Sequence, residues 1–373
     1  MSSPSLGTAL SGRDNSLGAV RPGLAAAVIL AHAWPLGGYG ASARERLGTI
    51  GVAGFFALSG FLIAGSRMRS DFRTYLARRA RRIFPGFWGV LLVTGFVFAP
   101  IGAVIGGGGW DPAQSLSYVV DNATLVMTHP SIGATLSGAP NPGMWNGSLW
   151  TLMYEFAAYL LCGAALGIGW VRRHLAVSAA AVVIVLPVIA VAVGELSGPA
   201  HMLTSALRLF PFFAAGVLAH ALRDRLRTTT PVAALAVAAV ISLAVTSEQL
   251  LNVLGPIPVA YALLHIGATW KTSIAAKEDH SYGLYVYGWP VQQLLGMAGL
   301  GALVPAPVFA VVSFACVLPL AIASRRLVER PAMRLPLPSL PARPSGDLHP
   351  ADLPVHVHVR EHVDHRAAFA AHR

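Results

Sequence analysis

The sequence predicts an all-α, polytopic integral membrane protein of about ten transmembrane helices with both termini cytoplasmic. Three observations carry this. Of 373 residues, 55% are hydrophobic and only 12% charged, whereas roughly a quarter of a soluble domain is charged. Apolar windows of about 20 residues, the length that crosses a bilayer, recur along the chain. The basic residues gather in alternate connections, as they do when positive loops stay inside. The mean hydropathy of +0.60 agrees, and heavy use of Ala and Gly suits close helix packing in a membrane.

The expected spans, in order, are 20–36, 48–66, 87–107, 146–166, 174–194, 201–220, 231–247, 252–270, 281–300 and 302–323. Arg67, Arg69, Arg73, Arg78, Arg79, Arg81 and Arg82 fall between the second and third. Arg172 and Arg173 follow the fourth. Arg223, Arg225 and Arg227 follow the sixth, Lys271 and Lys277 the eighth, and Arg325, Arg326 and Arg330 the tenth. The longest connection of the opposite set, Gly109 to Trp145, has no Lys or Arg. Topology thus accounts for the net charge of +11 without nucleic acid as a partner.

Three regions follow: a cytoplasmic segment, 1–17; a transmembrane domain, 18–335; and a Pro- and His-rich tail, 336–373, whose composition cannot pack a core. The tail histidines, His356, His358, His362, His365 and His372, match no ordered metal spacing. Cys162 and Cys316 lie in apolar stretches without ligand partners, so no disulfide or metal site is expected. Arg13, Arg21 and the run 23–31 can also be read as a cleaved signal peptide ending at Ala31-His32-Ala33. The charge pattern favours a retained first span.

That first span holds RPGLAAAVILAH, residues 21–32. Eleven helical steps come to roughly 1100°, about 20° past three turns, so Arg21 and His32 share a face about 16 Å apart. Ionisable residues inside a span are costly and point to function. Arg78/Arg81 and Arg79/Arg82 are i,i+3 pairs, neighbours on a helix and suited to phosphate. Glu155 sits mid-span with Tyr159 one turn on.

These residues fall in stretches that resemble the membrane acyltransferase-3 family, integral proteins that O-acylate sugars and other hydroxyl acceptors. Arg21-x10-His32 is similar to the family signature. GVAGFFALSGFLI (51–63), YLARRARRIFP (75–85), NGSLWTLMYEFAAYLL (146–161), SYGLYVYGWPVQQLL (281–295) and RLVERPAMRL (326–335) follow in the family's order. The late motif departs from the pattern: Gly288 stands between Tyr287 and Trp289, where the family often has histidine. Ala53 stands where an acidic residue is common.

The resemblance implies transfer of an acyl group, most often acetyl, from acyl-CoA as co-substrate to a glycan, glycolipid or similar hydroxyl acceptor in the envelope. No permanently bound cofactor is implied, and the location is the inner (plasma) membrane. His32 is the expected general base, or an acyl-carrying relay, with Glu155 orienting it or holding its charge. Arg21, Arg78, Arg79, Arg81 and Arg82 are the expected acyl-CoA ligands. Trp150, Tyr159, Tyr285 and Trp289 are expected at the acceptor site or in packing, and Ser59 and Gly60 in close helix contact. Some members carry a fused extracytoplasmic esterase-like domain; the stand-alone form is expected here, with a separate extracytoplasmic partner to finish the transfer. The rival reading is a proton-coupled transporter, which also uses intramembrane Arg, His and Glu.

Overall fold

A computed structural model describes residues 3–11, 15–40, 42, 45–270, 272 and 278–336, and every regular element among them is helical. Arg13, Lys271, Lys277 and the tail histidines lie outside the described residues.

The chain enters through a short helix, α1 (Leu6–Ser11), whose Leu6 is fully buried. Its first amides are satisfied from far along the chain: Leu6 N–H donates to the Leu226 carbonyl at 2.7 Å and Gly7 N–H to Arg223 at 2.8 Å. α2 (Leu17–Leu36) carries the Arg21–His32 stretch as one continuous helix. α3 (Arg46–Met68) follows.

α4 (Phe72–Val93) starts fifteen residues before the expected third span. Asp71 caps it, accepting from Thr74 N–H at 3.0 Å. Arg73, Arg78, Arg79, Arg81 and Arg82 therefore ride on its first turns, where Arg78/Arg81 and Arg79/Arg82 are the helical neighbours expected, and the correction is to the start of the third span. Charge placed them outside the apolar window, but a helix outlasts its apolar part when a cap and carboxylate partners are available. α4 runs through a wide turn at Thr94–Phe98 into α5 (Ala99–Gly106). Next comes α6 (Pro112–Asp121), capped by Asp111, which accepts from Ala113 N–H at 2.9 Å.

The arginine-free segment 122–149 is irregular but tied down. The Asn122 side chain donates to the Tyr118 and His129 carbonyls at 2.8 and 2.7 Å. Trp145, fully buried, donates its indole N–H to Thr135 Oγ1 at 2.8 Å. α7 (Trp150–Ala165), α8 (Gly169–Arg173), α9 (Leu175–Val193), α10 (His201–Ala221) and α11 (Thr230–Thr246) follow. The expected span 252–270 is broken into α12 (Glu248–Leu254) and α13 (Pro256–Thr269), bent by 74°. Pro256 offers no amide to carry the first helix onward, so the ladder stops there. The chain closes with α14 (Ser281–Met297), α15 (Leu300–Leu303), α16 (Ala306–Ser324) and α17 (Arg330–Arg334), the last two joined by a wide turn at Arg325–Glu329.

Six helices among the described residues are long and apolar enough to cross a membrane, or seven if the bent pair is one span. α7 and α14, which carry two of the motifs, have only 16 and 17 residues. α3 and α10 pack backbone to backbone. A Cβ on Gly60 would lie 1.9 Å from the Phe213 carbonyl oxygen, and one on Gly216 would lie 1.9 Å from that of Ala57. Gly60 thus has the close-contact role expected of it.

Candidate active site

α2 presents His32 to a cavity of about 810 Å³. α3 contributes Thr49 and Ala53 to its wall, α7 contributes Trp150 and Thr151, α10 contributes His201 and Arg208, and α14 contributes Tyr285 and Trp289. Trp289 meets His32 edge-on, with ring centres 4.6 Å apart at 69°. Gly147 supplies a flat seat for that indole, since a Cβ there would lie 2.6 Å from its ring.

α14 holds Trp289 and Tyr285 in place through a compensated break. Pro290 has no N–H, so the carbonyl of Val286 four residues earlier loses its helical donor. The Asn146 side chain replaces it, donating to Val286 O at 2.8 Å. Gln292, fully buried, donates to the Ile29 carbonyl of α2 at 2.9 Å. Gln293 donates to the carbonyls of Asn141 and Met144 at 2.6 and 2.8 Å. These amides couple α14 to the His32 helix and to the 122–149 segment. Gly288 faces α2, where a Cβ would stand 3.0 Å from Ile29 Cγ1. An imidazole there would have to displace Ile29.

A second, small chamber of about 30 Å³ is lined by Arg21, Phe55, Glu155, Ser281, Tyr282 and Tyr285, together with Val52 and Thr151. Glu155 accepts a hydrogen bond from Ser59 Oγ at 2.9 Å and a second from the Tyr159 hydroxyl. No hydrogen bond joins it to His32 among the described residues. Glu155 is thus brought to the Arg21 chamber and not to the imidazole it was expected to orient. Tyr159 is held by α4, its carbonyl accepting from the Tyr75 hydroxyl at 2.8 Å. Ser59 therefore does more than allow helix contact.

The arginines separate by environment. Arg82 donates to Asp279 at 2.8 Å and to Glu329 at 3.2 Å. Arg21 lies 3.7 Å from the same Asp279 oxygen. Arg81 donates to the Leu335 and Pro336 carbonyls at 2.6 and 2.7 Å. Arg79 has a buried Nε without a hydrogen-bond partner. Arg78 is exposed, with no carboxylate partner among the described residues. Burial by itself raises the Asp279 carboxyl, but Arg21, Arg82 and the Ser281 hydroxyl outweigh it and hold it well below the usual carboxylate range.

Sequence reasoning missed Asn146, Thr151, Arg208, Asp279, Gln292 and Gln293. Arg208 had a signal, a cation inside an apolar span; it pairs with Glu195. Asn146 had one too, because a proline within a span predicts an unpaired carbonyl four residues back. Among the described residues, no cluster of three or more His, Cys, Asp or Glu is placed to hold a metal ion.

A family model described as an acyltransferase domain matches residues 14–326. The chain is also similar to an O-acetyl transferase of Shigella phage Sf6, with 30% identity over 270 residues, 67% of this chain and 75% of that protein. No solved structure matches it significantly. The matched span includes the His32 cavity, the Arg21 chamber and the compensated α14.

Proposed function

Because the chain belongs to the acyltransferase-3 family, and so is an acyltransferase, we propose that it is an O-acyltransferase of the inner membrane that moves an acyl group, acetyl in the first instance, from acyl-CoA to a hydroxyl of an envelope glycan, glycolipid or similar acceptor. One observation carries the reading. Arg21 and His32 open from one helix into two cavities that share the wall residues Val52, Thr151 and Tyr285. A slender thioester arm entering beside Arg21 is thereby directed at the imidazole.

On this reading the spans number ten, with α7, α11, α14 and the bent α12–α13 pair crossing beside the longer helices, and both termini are cytoplasmic. The arginine-rich end of α4 then faces the compartment where acyl-CoA is made. Arg78 and Arg79, which have no carboxylate partner among the described residues, are the foremost phosphate ligands beside Arg21. Arg81 and Arg82 contribute mainly by holding the C-terminal segment.

His32 takes the proton from the acceptor hydroxyl in the larger cavity. The hydroxyl oxygen attacks the thioester carbonyl, a C–O bond forms, the C–S bond breaks and coenzyme A leaves as thiolate, which the proton can follow. An acyl-imidazole on His32 is the two-step variant of the same geometry. Trp150 and Trp289 present apolar faces against which a sugar ring can pack. The rim residues His201, Arg208 and Glu248 supply polar contacts. A partner outside the membrane can receive the acylated product.

The test uses His32→Gln, which keeps a polar side chain of similar size. Mass spectrometry of envelope glycans and lipids is compared between cells lacking the gene and cells restored with either form. Wild type should restore an acylated species and His32→Gln should not, while the purified variant still binds acyl-CoA. Full acylation by the variant would remove His32 from the mechanism.

A further inference from the structure

The His32 cavity and the Arg21 chamber meet at three residues, Val52 on α3, Thr151 on α7 and Tyr285 on α14, each of which lines both. Two of the three are joined across the junction. The Tyr285 hydroxyl lies 2.6 Å from Thr151 Oγ1, and both residues are buried. Thr151 spends its single hydroxyl hydrogen on the Ser148 carbonyl at 3.2 Å. Tyr285 must therefore be the donor to Thr151. Its ring is braced edge-on by Phe55, with centres 5.6 Å apart.

The helical ladder behind Tyr285 is incomplete and depends on one side chain from outside. Pro290 strips the Val286 carbonyl of its helical bond, and a single side-chain amide from Asn146 stands in for it. Gly288, one turn on, carries no side chain. Tyr285 thus sits on the one stretch of α14 where the helical ladder is interrupted and repaired from outside, a recognised site of bending.

We propose that the Thr151–Tyr285 hydroxyl pair is a gate between donor and acceptor compartments, closed in this structure. It opens when the donor's arm enters from the Arg21 side. This rests on the donor and acceptor assignment above. The physical need is plain. A standing passage between the two cavities would let water reach the thioester and ions cross the membrane. The arm of coenzyme A carries two amides, each able to take over a hydrogen bond that Tyr285 or Thr151 gives up. The gate would therefore yield to the donor at small net cost and close again behind it.

The test reads access, not turnover. In a background with Cys162 and Cys316 replaced by alanine, Thr49→Cys places a thiol in the His32 cavity away from the chamber. A membrane-impermeant cationic methanethiosulfonate is applied to sealed vesicles from either face. An Arg73→Cys control marks the face that carries the Arg21 end. With the gate intact, Thr49→Cys should react from its own face and scarcely from the Arg21 face. Tyr285→Phe and Thr151→Val, which keep volume and remove the hydroxyl bond, should raise reaction from the Arg21 face about tenfold, the factor one hydrogen bond is worth. Tyr285→Ala should raise it further. Desulfo-coenzyme A, which has no thiol, should slow that reaction by filling the opened neck. Equal Arg21-face rates with and without the hydroxyl pair overturn the gate. Faster reaction that desulfo-coenzyme A does not slow leaves the gate standing and overturns the donor assignment.

Discussion

Arg82 gives both terminal nitrogens to carboxylates, and one of them, Glu329, is 1% exposed. Arg21 stays beside Asp279 and Arg325 lies 3.6 Å from Glu329, so Arg82→Gln removes two charge-assisted hydrogen bonds without leaving either carboxylate alone and should cost about 1.5–3 kcal/mol. Thermal unfolding in detergent measures this directly. A variant of unchanged stability with weakened acyl-CoA binding would instead make Arg82 a donor ligand. Asp279 supplies a pH dependence. Its carboxyl is depressed in the folded protein, so the stability it adds is complete at neutral pH and is lost as pH falls through about 4 and below. Asp279→Asn should flatten the unfolding midpoint across that acidic range while lowering it at neutrality. An unchanged acid slope would show that other carboxylates control it. At this scale the sequence was partly legible. Arg21 and His32 stood out because charge in a span is rare. Their partners did not: Asp279 is separated from Arg21 by more than two hundred residues, and no local pattern announces the pairing.

α14 is where sequence signals and structure converge most closely. The motif SYGLYVYGWPVQQLL reads as one apolar span with a proline inside. In three dimensions that proline explains an asparagine in another motif. Asn146→Ala should leave the Val286 carbonyl unpaired, at about 1–3 kcal/mol. In the double variant Asn146→Ala/Pro290→Ala, an amide at position 290 can retake that carbonyl, so much of the loss should return. A double-mutant cycle on thermal unfolding tests it, and purely additive losses would deny the compensation. At the α3–α10 crossing, Gly60→Ala and Gly216→Ala each force a methyl onto a carbonyl oxygen. Both should reduce the monodisperse fraction recovered by size-exclusion chromatography, and normal recovery would mean the helices part freely. The long apolar helices were legible from apolar length; α6, inside the stretch read as a connection, was not. The start of α4 was not, because its arginines interrupt the hydropathy signal that an N-cap and cross-chain carboxylates overrule. Nor was the α12–α13 bend, although Gly255-Pro256 was its printed cause.

Across the whole chain, the site is assembled from α2, α3, α7, α10, α12, α14 and the 122–149 segment, while α1 lines neither cavity. Deleting residues 1–11 should therefore lower the unfolding midpoint through loss of Leu6 burial while leaving acyl-CoA affinity intact; a matching loss of affinity would tie α1 to the donor end. Nothing in the sequence marked that segment as structural, since six helical residues carry too little periodicity to read. Its placement has a consequence for biosynthesis. Residues 4–7 lie against the turn that follows α10, with Thr228 N–H bonded to the Pro4 carbonyl at 3.0 Å. Residues 4–7 thus wait until the turn after α10, more than two hundred residues later, has been synthesised before their binding surface exists. A bulky insertion just ahead of Leu6 would compete with that late docking.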